Sequence, residues 1–211
     1  MADLKKLYDA ILTGDQKTAV GVTEAALAEG VSPQEIISSA MIPAMNEAGN
    51  RFQCEEFFVP ELLLAARAMK GALKLIQPLL AQTGAKPIGT VVIGTVKGDL
   101  HDIGKNLVAS MLEGAGFKVI DLGSDVAADK FVAAVQNEKP DIICMSALLT
   151  VTMPAMKSTI EALHQAGVRG QVKVMVGGAP VTPEYATEIG ADGYADNAST
   201  AVHRARALVA A

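Results

Sequence analysis

The stretch TVVIGTVKGDLHDIGKN, residues 90–106, decides the fold. Its first part, TVVIGT, is a short apolar run rich in β-branched residues, which reads as a buried strand. From Ile103 onward, IGKNLVASMLEGA carries its apolar residues at helical spacing. Between the two lies a glycine-punctuated turn that holds His101 between Asp99 and Asp102. The chain has only 3 histidines, and one of them stands at the mouth of a strand-to-helix turn. Open α/β sheets bind their ligands beyond such strand ends.

The same pattern repeats downstream. Strand-length runs recur at FKVIDL (117–122), DIICMS (141–146), VKVMVG (172–177) and GYA (193–195). Helical stretches follow them: AADKFVAAVQNE, MPAMKSTIEALHQAG, PEYATEIG and NASTAVHRARALVAA. Strands alternating with helices predict an α/β unit with a parallel sheet covered on both faces. Five such units predict the flavodoxin-like (Rossmann-like) order 2-1-3-4-5.

Upstream the period is different. Residues 1 to about 82 read as helices. Leu4, Leu7, Tyr8 and Ile11 share one face. Asp15 is placed to cap QKTAVGVTEAALAEG, and Gly30 to stop it. Ser32 and Pro33 open a third helix, expected to end near Gly49, and Pro60 opens a fourth. Four helices with short connections predict an antiparallel bundle. Gly84-Ala85-Lys86-Pro87 reads as a linker, so the predicted division is 1–83 for a helical bundle and 88–211 for the α/β domain. RFQCEEFFVPE (51–61) holds three of the 5 phenylalanines; on composition it reads as a plug for the bundle end, with an apolar lid as the alternative.

Composition narrows the function. Half of the 211 residues are hydrophobic, so a sizeable core is expected, and the absence of tryptophan makes it aliphatic. The 9 methionines read as core filler. A net charge of −5 without a basic cluster lacks the footprint of a nucleic-acid binder. Cys54 and Cys144 show no CxxC spacing, so neither a structural disulfide nor a zinc site is expected. No apolar run approaches the roughly 20 residues a bilayer span needs. MADLKKLYDAIL lacks the apolar block of a signal peptide, and a cytoplasmic protein is expected.

In the order 2-1-3-4-5 the ends of strands 1, 3 and 4 are neighbours. GDLHDIG, SALLTVT and GGAP should therefore converge on one sheet edge. No GxSxG elbow, P-loop or GxGxxG is present, which removes a serine hydrolase and a phosphate site of those kinds. A receiver domain fits poorly, because glycine and lysine precede Asp99 where an acidic pair would stand. His101 alone would read as a capping or satisfied loop histidine, and Gly177-Gly178 alone as a tight turn. Together they suggest an imidazole ligand oriented by a carboxylate, with bare backbone where something large approaches. One protein ligand suffices if a macrocycle supplies the others.

At these residues the sequence resembles the cobalamin-binding corrinoid proteins, whose pattern is DxHxxG, then SxL, then GG. It reads here Asp99-Leu100-His101-Asp102-Ile103-Gly104, then Ser146-Ala147-Leu148, then Gly177-Gly178. The intervening segments, 105–145 and 149–176, match the family's spacing. The resemblance spans nearly the whole chain and is closest to stand-alone corrinoid proteins of methyltransferase systems and the matching segment of cobalamin-dependent methionine synthase. It implies that residues 1–83 are a cap. It implies cobalamin as cofactor, His101 as lower cobalt ligand, Asp99 as partner of its other nitrogen, and Thr152 as third member of that relay. It further implies cofactor contacts at Asp102, Ile103, Gly104, Ser146, Leu148, Thr150, Gly177 and Gly178. Phe58 aligns with a cap phenylalanine that shields the methyl face, which turns the aromatic segment toward the lid reading, with Gly84–Pro87 as hinge. Asp102 in addition reads as a helix cap.

The implied function is a methyl carrier, itself a non-catalytic subunit. It accepts a methyl group on cobalt from a substrate-specific methyltransferase and delivers it to a second methyltransferase, with tetrahydrofolate or a thiol as acceptor. A reductive activase is the third implied partner. Methylamines, methanol, betaines and aromatic methyl ethers all feed such proteins. The alternatives are a cobalamin sensor or storage module and a small mutase subunit; the first would carry a DNA-binding or light-sensing element and the second usually lacks the cap.

Overall fold

A computed structural model describes residues 3–83 and 87–210. Gly84 to Lys86, the body of the expected linker and hinge, lie outside the described residues. The chain divides into two compact units, Met1–Pro87 with Glu113–Gly116 and Ile88–Leu112 with Phe117–Ala211.

The first unit is helical: α1 (Leu4–Leu12), α2 (Gln16–Ala28), α3 (Pro33–Ile36), α4 (Ile42–Gln53) and α5 (Val59–Thr83). Its starts follow local chemistry. Asp3, Asp15 and Ser32 each accept a hydrogen bond from the backbone N–H three residues on, at 3.1, 3.0 and 3.2 Å. Alanines at 19, 26, 40, 44, 48, 65, 68 and 72 are buried, and let the helices approach closely between Leu7, Ile11, Met41, Met45, Leu62 and Met69.

Two boundaries differ from the sequence expectation. The third helix is not uniform: α3 passes into α4 through a π-helical turn at Ile37–Met41, where the Ile42 N–H reaches the Ile37 carbonyl. Pro43 explains it, because proline has no N–H for the carbonyl four residues back and its ring crowds that group. The helix also runs through Gly49 to Gln53. Beyond it, the Glu56 and Phe57 N–H groups turn back onto the Arg51 carbonyl at 2.8 and 3.0 Å. The Arg51 guanidinium lies 5.4 Å from the centre of the Phe57 ring. Phe58 holds the N-cap position of α5, its N–H bonded to Glu61 Oε2 at 3.0 Å. Its side chain is exposed, 64% of the residue being accessible, so it does not plug the bundle.

The second unit is the α/β domain. β1 (Thr90–Thr95), β2 (Lys118–Asp121), β3 (Ile142–Ser146), β4 (Lys173–Gly177) and β5 (Gly193–Ala195) form one sheet in the order β2-β1-β3-β4-β5. Every pair is parallel. The helices are α6 (Ile103–Gly114), α7 (Ala128–Glu138), α8 (Pro154–Gln165), α9 (Pro183–Glu188) and α10 (Ala198–Ala210). Val92, Ile143, Met145, Val174 and Val176 pack on one face against Phe131 of α7 and Met156 and Ile160 of α8. The alternate residues Val91, Ile93, Ile142, Cys144 and Met175 are buried as well. That is why these strands read as continuous apolar runs rather than alternating ones. The register aligns Thr95 with Ser146, Ser146 with Gly177, and Gly177 with Ala195. The C-terminal ends of four strands thus stand level, and their loops leave from one edge.

Candidate functional site

The site begins where β1 ends. The chain turns through Val96–Asp102 before α6, and Asp99 in this turn is fully buried. Its Oδ1 accepts from the His101 N–H at 3.0 Å and from His101 Nδ1 at 2.8 Å. Its Oδ2 accepts from the Leu148 N–H at 2.7 Å, the Leu149 N–H at 3.4 Å and the Thr152 hydroxyl at 2.8 Å. Burial alone pushes the Asp99 carboxyl up. The Leu148 and His101 amides, the Thr152 hydroxyl and the His101 ring outweigh it and hold the group well below the usual carboxylate range. Asp99 is therefore a fixed anion.

This decides the tautomer of His101. A carboxylate only accepts, so in the neutral imidazole Nδ1 carries the proton and Nε2 is left with the lone pair. The His101 side chain is 50% exposed while its partner is not exposed at all. A second tie holds the loop: the hydroxyl of Thr95, buried at the end of β1, donates to the His101 carbonyl at 3.0 Å. Leu100, Leu148, Leu149 and Val151 of the loops after β1 and β3, and Ile103 at the start of α6, are all exposed. Exposed large apolar side chains in one region mark a surface that something covers. Among the described residues no group of three or more His, Cys, Asp or Glu could hold a metal ion. The arrangement offers one braced imidazole among apolar side chains, which fits a metal whose other ligands arrive with a macrocycle.

The structure brings together Asp99, His101 and Thr152, and through its amide Leu148. Thr152 has one proton and two acceptors at 2.8 Å, Asp99 Oδ2 and the Leu149 carbonyl; the carboxylate is the stronger. Ser146 stands level with Thr95 and Gly177, and its hydroxyl has no hydrogen-bond partner among the described residues. Thr150 is exposed in the turn before α8 and is not one of the donors to Asp99. Gly104 lies in the first turn of α6, where an added Cβ would meet open space. Asp102 precedes α6; its carbonyl accepts from the Asn106 N–H at 2.7 Å and its carboxylate from Asn106 Nδ2 at 3.0 Å. Phe58 belongs to the helical unit.

The glycine pair has a reason the sequence does not reveal. A Cβ on Gly177 would stand 2.6 Å from the Ala195 carbonyl oxygen, and one on Gly178 only 1.9 Å from that of Ala147. Gly178 also has φ +130°, a conformation L side chains rarely adopt. The body that approaches these glycines is the protein's own backbone. Sequence reasoning also passed over Thr95 and Leu149. The signal for Thr95 was a hydroxyl closing the apolar run TVVIGT; Leu149 contributes only an N–H, for which side-chain chemistry holds no signal.

A parallel sheet with one carboxylate-braced histidine at its C-terminal edge defines a class of corrinoid-binding proteins, and comparison bears this out. The family profile described as "B12 binding domain" matches residues 89–203, and a second profile of the same description matches residues 3–77. Trimethylamine corrinoid protein 1 of Methanosarcina acetivorans is 46% identical over 208 residues, 98% of this chain and 96% of that one. The dimethylamine corrinoid protein of Methanosarcina barkeri is 44% identical over 209 residues, 98% and 97%. Among solved structures, the methanol:cobalamin methyltransferase complex of M. barkeri superposes with a TM-score of 0.84 at 33% identity, covering 98% of this chain and 79% of that one. A cobalamin-binding protein from Desulfitobacterium hafniense gives 0.81 at 32%, covering 99% of both. The chain belongs to the B12-binding family of corrinoid proteins, and its cofactor is a corrinoid. No helix among the described residues is long and apolar enough to cross a membrane.

Proposed function

We propose that this protein is a methyl carrier of a methylamine-fed methyltransferase system. When bound, the corrinoid supplies a cobalt centre that takes up a methyl group and gives it away. The carrying observation is the His101–Asp99 pair with its free Nε2, in a chain 46% identical to a trimethylamine corrinoid protein.

In this reading His101 would hold the cobalt through Nε2. Asp99 holds the Nδ1 proton and so fixes the tautomer that leaves Nε2 free. Thr152 and the Leu148 amide hold Asp99 in turn. Nε2 is the ring atom that would hold either the metal or a proton drawn from solvent, since Nδ1 is engaged by Asp99. Asp99 stays ionised, because five donors already face its oxygens. The exposed apolar side chains of Leu100, Ile103 and Leu148 would pack against the bound corrinoid and exclude water from the His101 side of the site.

Ser146, Thr150, Gly104 and Asp102 would line the path of the cofactor and its tail, and Gly177 and Gly178, whose Cβ directions are taken by the Ala195 and Ala147 carbonyls, would border it with main chain only. Residues 1–83 are the cap and 88–211 the cobalamin domain, and the exposed Phe58 ring of the cap would shield the bound methyl group. The partners are a substrate-specific methyltransferase, an acceptor methyltransferase and a reductive activase, in the cytoplasm.

The test loads the purified protein with cobalamin, reduces it, and adds each methylamine or methanol with its methyltransferase. Methylation, followed in the visible spectrum, is expected with a methylamine; none with any donor would refute the proposal. His101→Ala is expected to keep cobalamin but to transfer methyl groups slowly, and an unchanged rate and spectrum would refute the role of His101.

A further inference from the structure

The α/β unit buries one ammonium. Lys105 lies in the first turn of α6, four residues beyond His101, and its side chain is 1% exposed. Leu107, Met111 and Leu112 of the same helix are buried as apolar groups. A buried cation is costly to keep unless acceptors surround it, so its presence here has a specific cause.

The acceptors form a closed circuit. Lys105 Nζ donates to Asn106 Oδ1 at 2.6 Å and to Asp121 Oδ2 at 2.5 Å. Asn106 Nδ2 donates to Asp102 Oδ2 at 3.0 Å, and Asp102 directly follows His101. From the other end, Asp121 closes β2, and its Oδ1 accepts from the Gly123 N–H at 2.8 Å. The Gly123 carbonyl accepts from the Thr95 N–H at 3.0 Å. The Thr95 hydroxyl returns to the His101 carbonyl at 3.0 Å. The circuit therefore leaves from Asp102, the residue after His101, and returns to the His101 carbonyl, and Lys105 is its only charged donor.

Asp99 and this circuit do different work. Asp99 orients the imidazole ring, whereas the circuit locates the backbone from which the ring projects. We propose that Lys105 is a positioning residue that seats the His101 loop, tying the start of α6 to the end of β2 so that Nε2 stands where the metal needs it. The inference rests on His101 being the cobalt ligand. Lys105 touches neither cobalt nor the reacting methyl group; it acts through Asn106, Asp102 and Asp121. Isosteric removal of the ammonium should leave the fold and lose the seat, because ligand placement tolerates small shifts far less than folding does.

The experiment uses the full chain labelled with 15N-histidine, loaded with cobalamin and held as cobalt(II). Electron paramagnetic resonance then shows a doublet from an axial protein nitrogen, which cobalamin's own unlabelled base cannot produce. Lys105→Met is expected to bind cobalamin but to lower the ratio of histidine-bound to histidine-free cobalt on the order of tenfold, the usual effect of losing an outer partner of a metal ligand. A general loss of stability would reduce the cobalamin bound without changing that ratio. Should Lys105→Met fail to fold, Asp121→Asn decides. The Asp121 side chain is 41% exposed and Asn keeps its shape, so the fold persists, and a fall on the order of threefold is expected from the weaker neutral bond. A wild-type ratio in folded Lys105→Met, or in Asp121→Asn, overturns the proposal. His101→Ala separates the two ideas: a doublet that survives there overturns the reading of His101 as ligand instead.

Discussion

The two units bury polar groups in opposite ways. Among the described residues of the helical unit the one buried polar residue is Thr23, whose hydroxyl bonds the Ala19 carbonyl of its own helix at 2.8 Å. The α/β unit buries Thr95, Asp99, Lys105 and Thr152, all at or beside the C-terminal edge of its sheet. Its other buried hydroxyls, Thr159 and Ser199, lie within helices. A polar group taken out of water must be matched by partners or it destabilises the fold. The helical unit avoids the problem. The α/β unit concentrates it in the loop that carries His101 and solves it with partners drawn from three strands' ends. Costly burial gathered at one place is the physical mark of a site, and its absence marks a unit whose interior serves packing alone.

The strongest way to break this contrast is Asp99→Ala. It takes their acceptor from three part-buried amides and the imidazole, and leaves the Thr152 hydroxyl with the Leu149 carbonyl alone. A loss of about 3–5 kcal/mol in denaturant unfolding of the apo protein is expected, as for one partner removed from a buried charge network. The same carboxylate sets an acid limit. Its folded-state acidity is stronger than in the unfolded chain, so its contribution is complete above about pH 4 and is lost as pH falls further. Wild type should therefore lose stability more steeply than Asp99→Asn below pH 4 in an acid titration followed by circular dichroism. Thr152→Val removes one of five donors and keeps the shape; about 1–2 kcal/mol is expected. At the small end, Thr23→Val in the helical unit should stay within about 0.5 kcal/mol, because the Ala19 carbonyl keeps the backbone bond of its helix. Equal losses at Thr23 and Thr152 would erase the distinction between the units.

Much of the fold was legible. The strands fall within the runs 90–95, 117–122, 141–146, 172–177 and 193–195, trimmed by at most a residue or so at their ends. The order 2-1-3-4-5 is the one seen. Doubly buried parallel strands announce themselves as apolar blocks, and right-handed crossovers leave few ways to arrange five of them. The π turn at Ile37–Met41 was not legible, because it is a response of the helix to Pro43 rather than a pattern of its own. The run through Gly49 escaped for a related reason: tertiary packing overrides a weak local propensity.

The site divides in the same manner. The sequence by itself determined that His101, Asp99, Ser146 and Gly177 would stand at one sheet edge, since each closes or follows a strand whose neighbours the topology dictates. It also determined the cofactor, through three short motifs at family spacing. Only the tertiary structure decided why the parts hold. The donors to Asp99 Oδ2 come from residues 49 to 53 positions away, and two of the three are backbone amides, which carry no side-chain signature. Gly177 and Gly178 are bare because the Ala195 and Ala147 carbonyls pass them. Lys105 looks in the sequence like any helical lysine, and only its burial against Asp121 reveals its place. Periodicity is a local property of the chain, while burial and hydrogen-bond closure arise between segments far apart in it, so the first can be read from residue order and the second needs the fold.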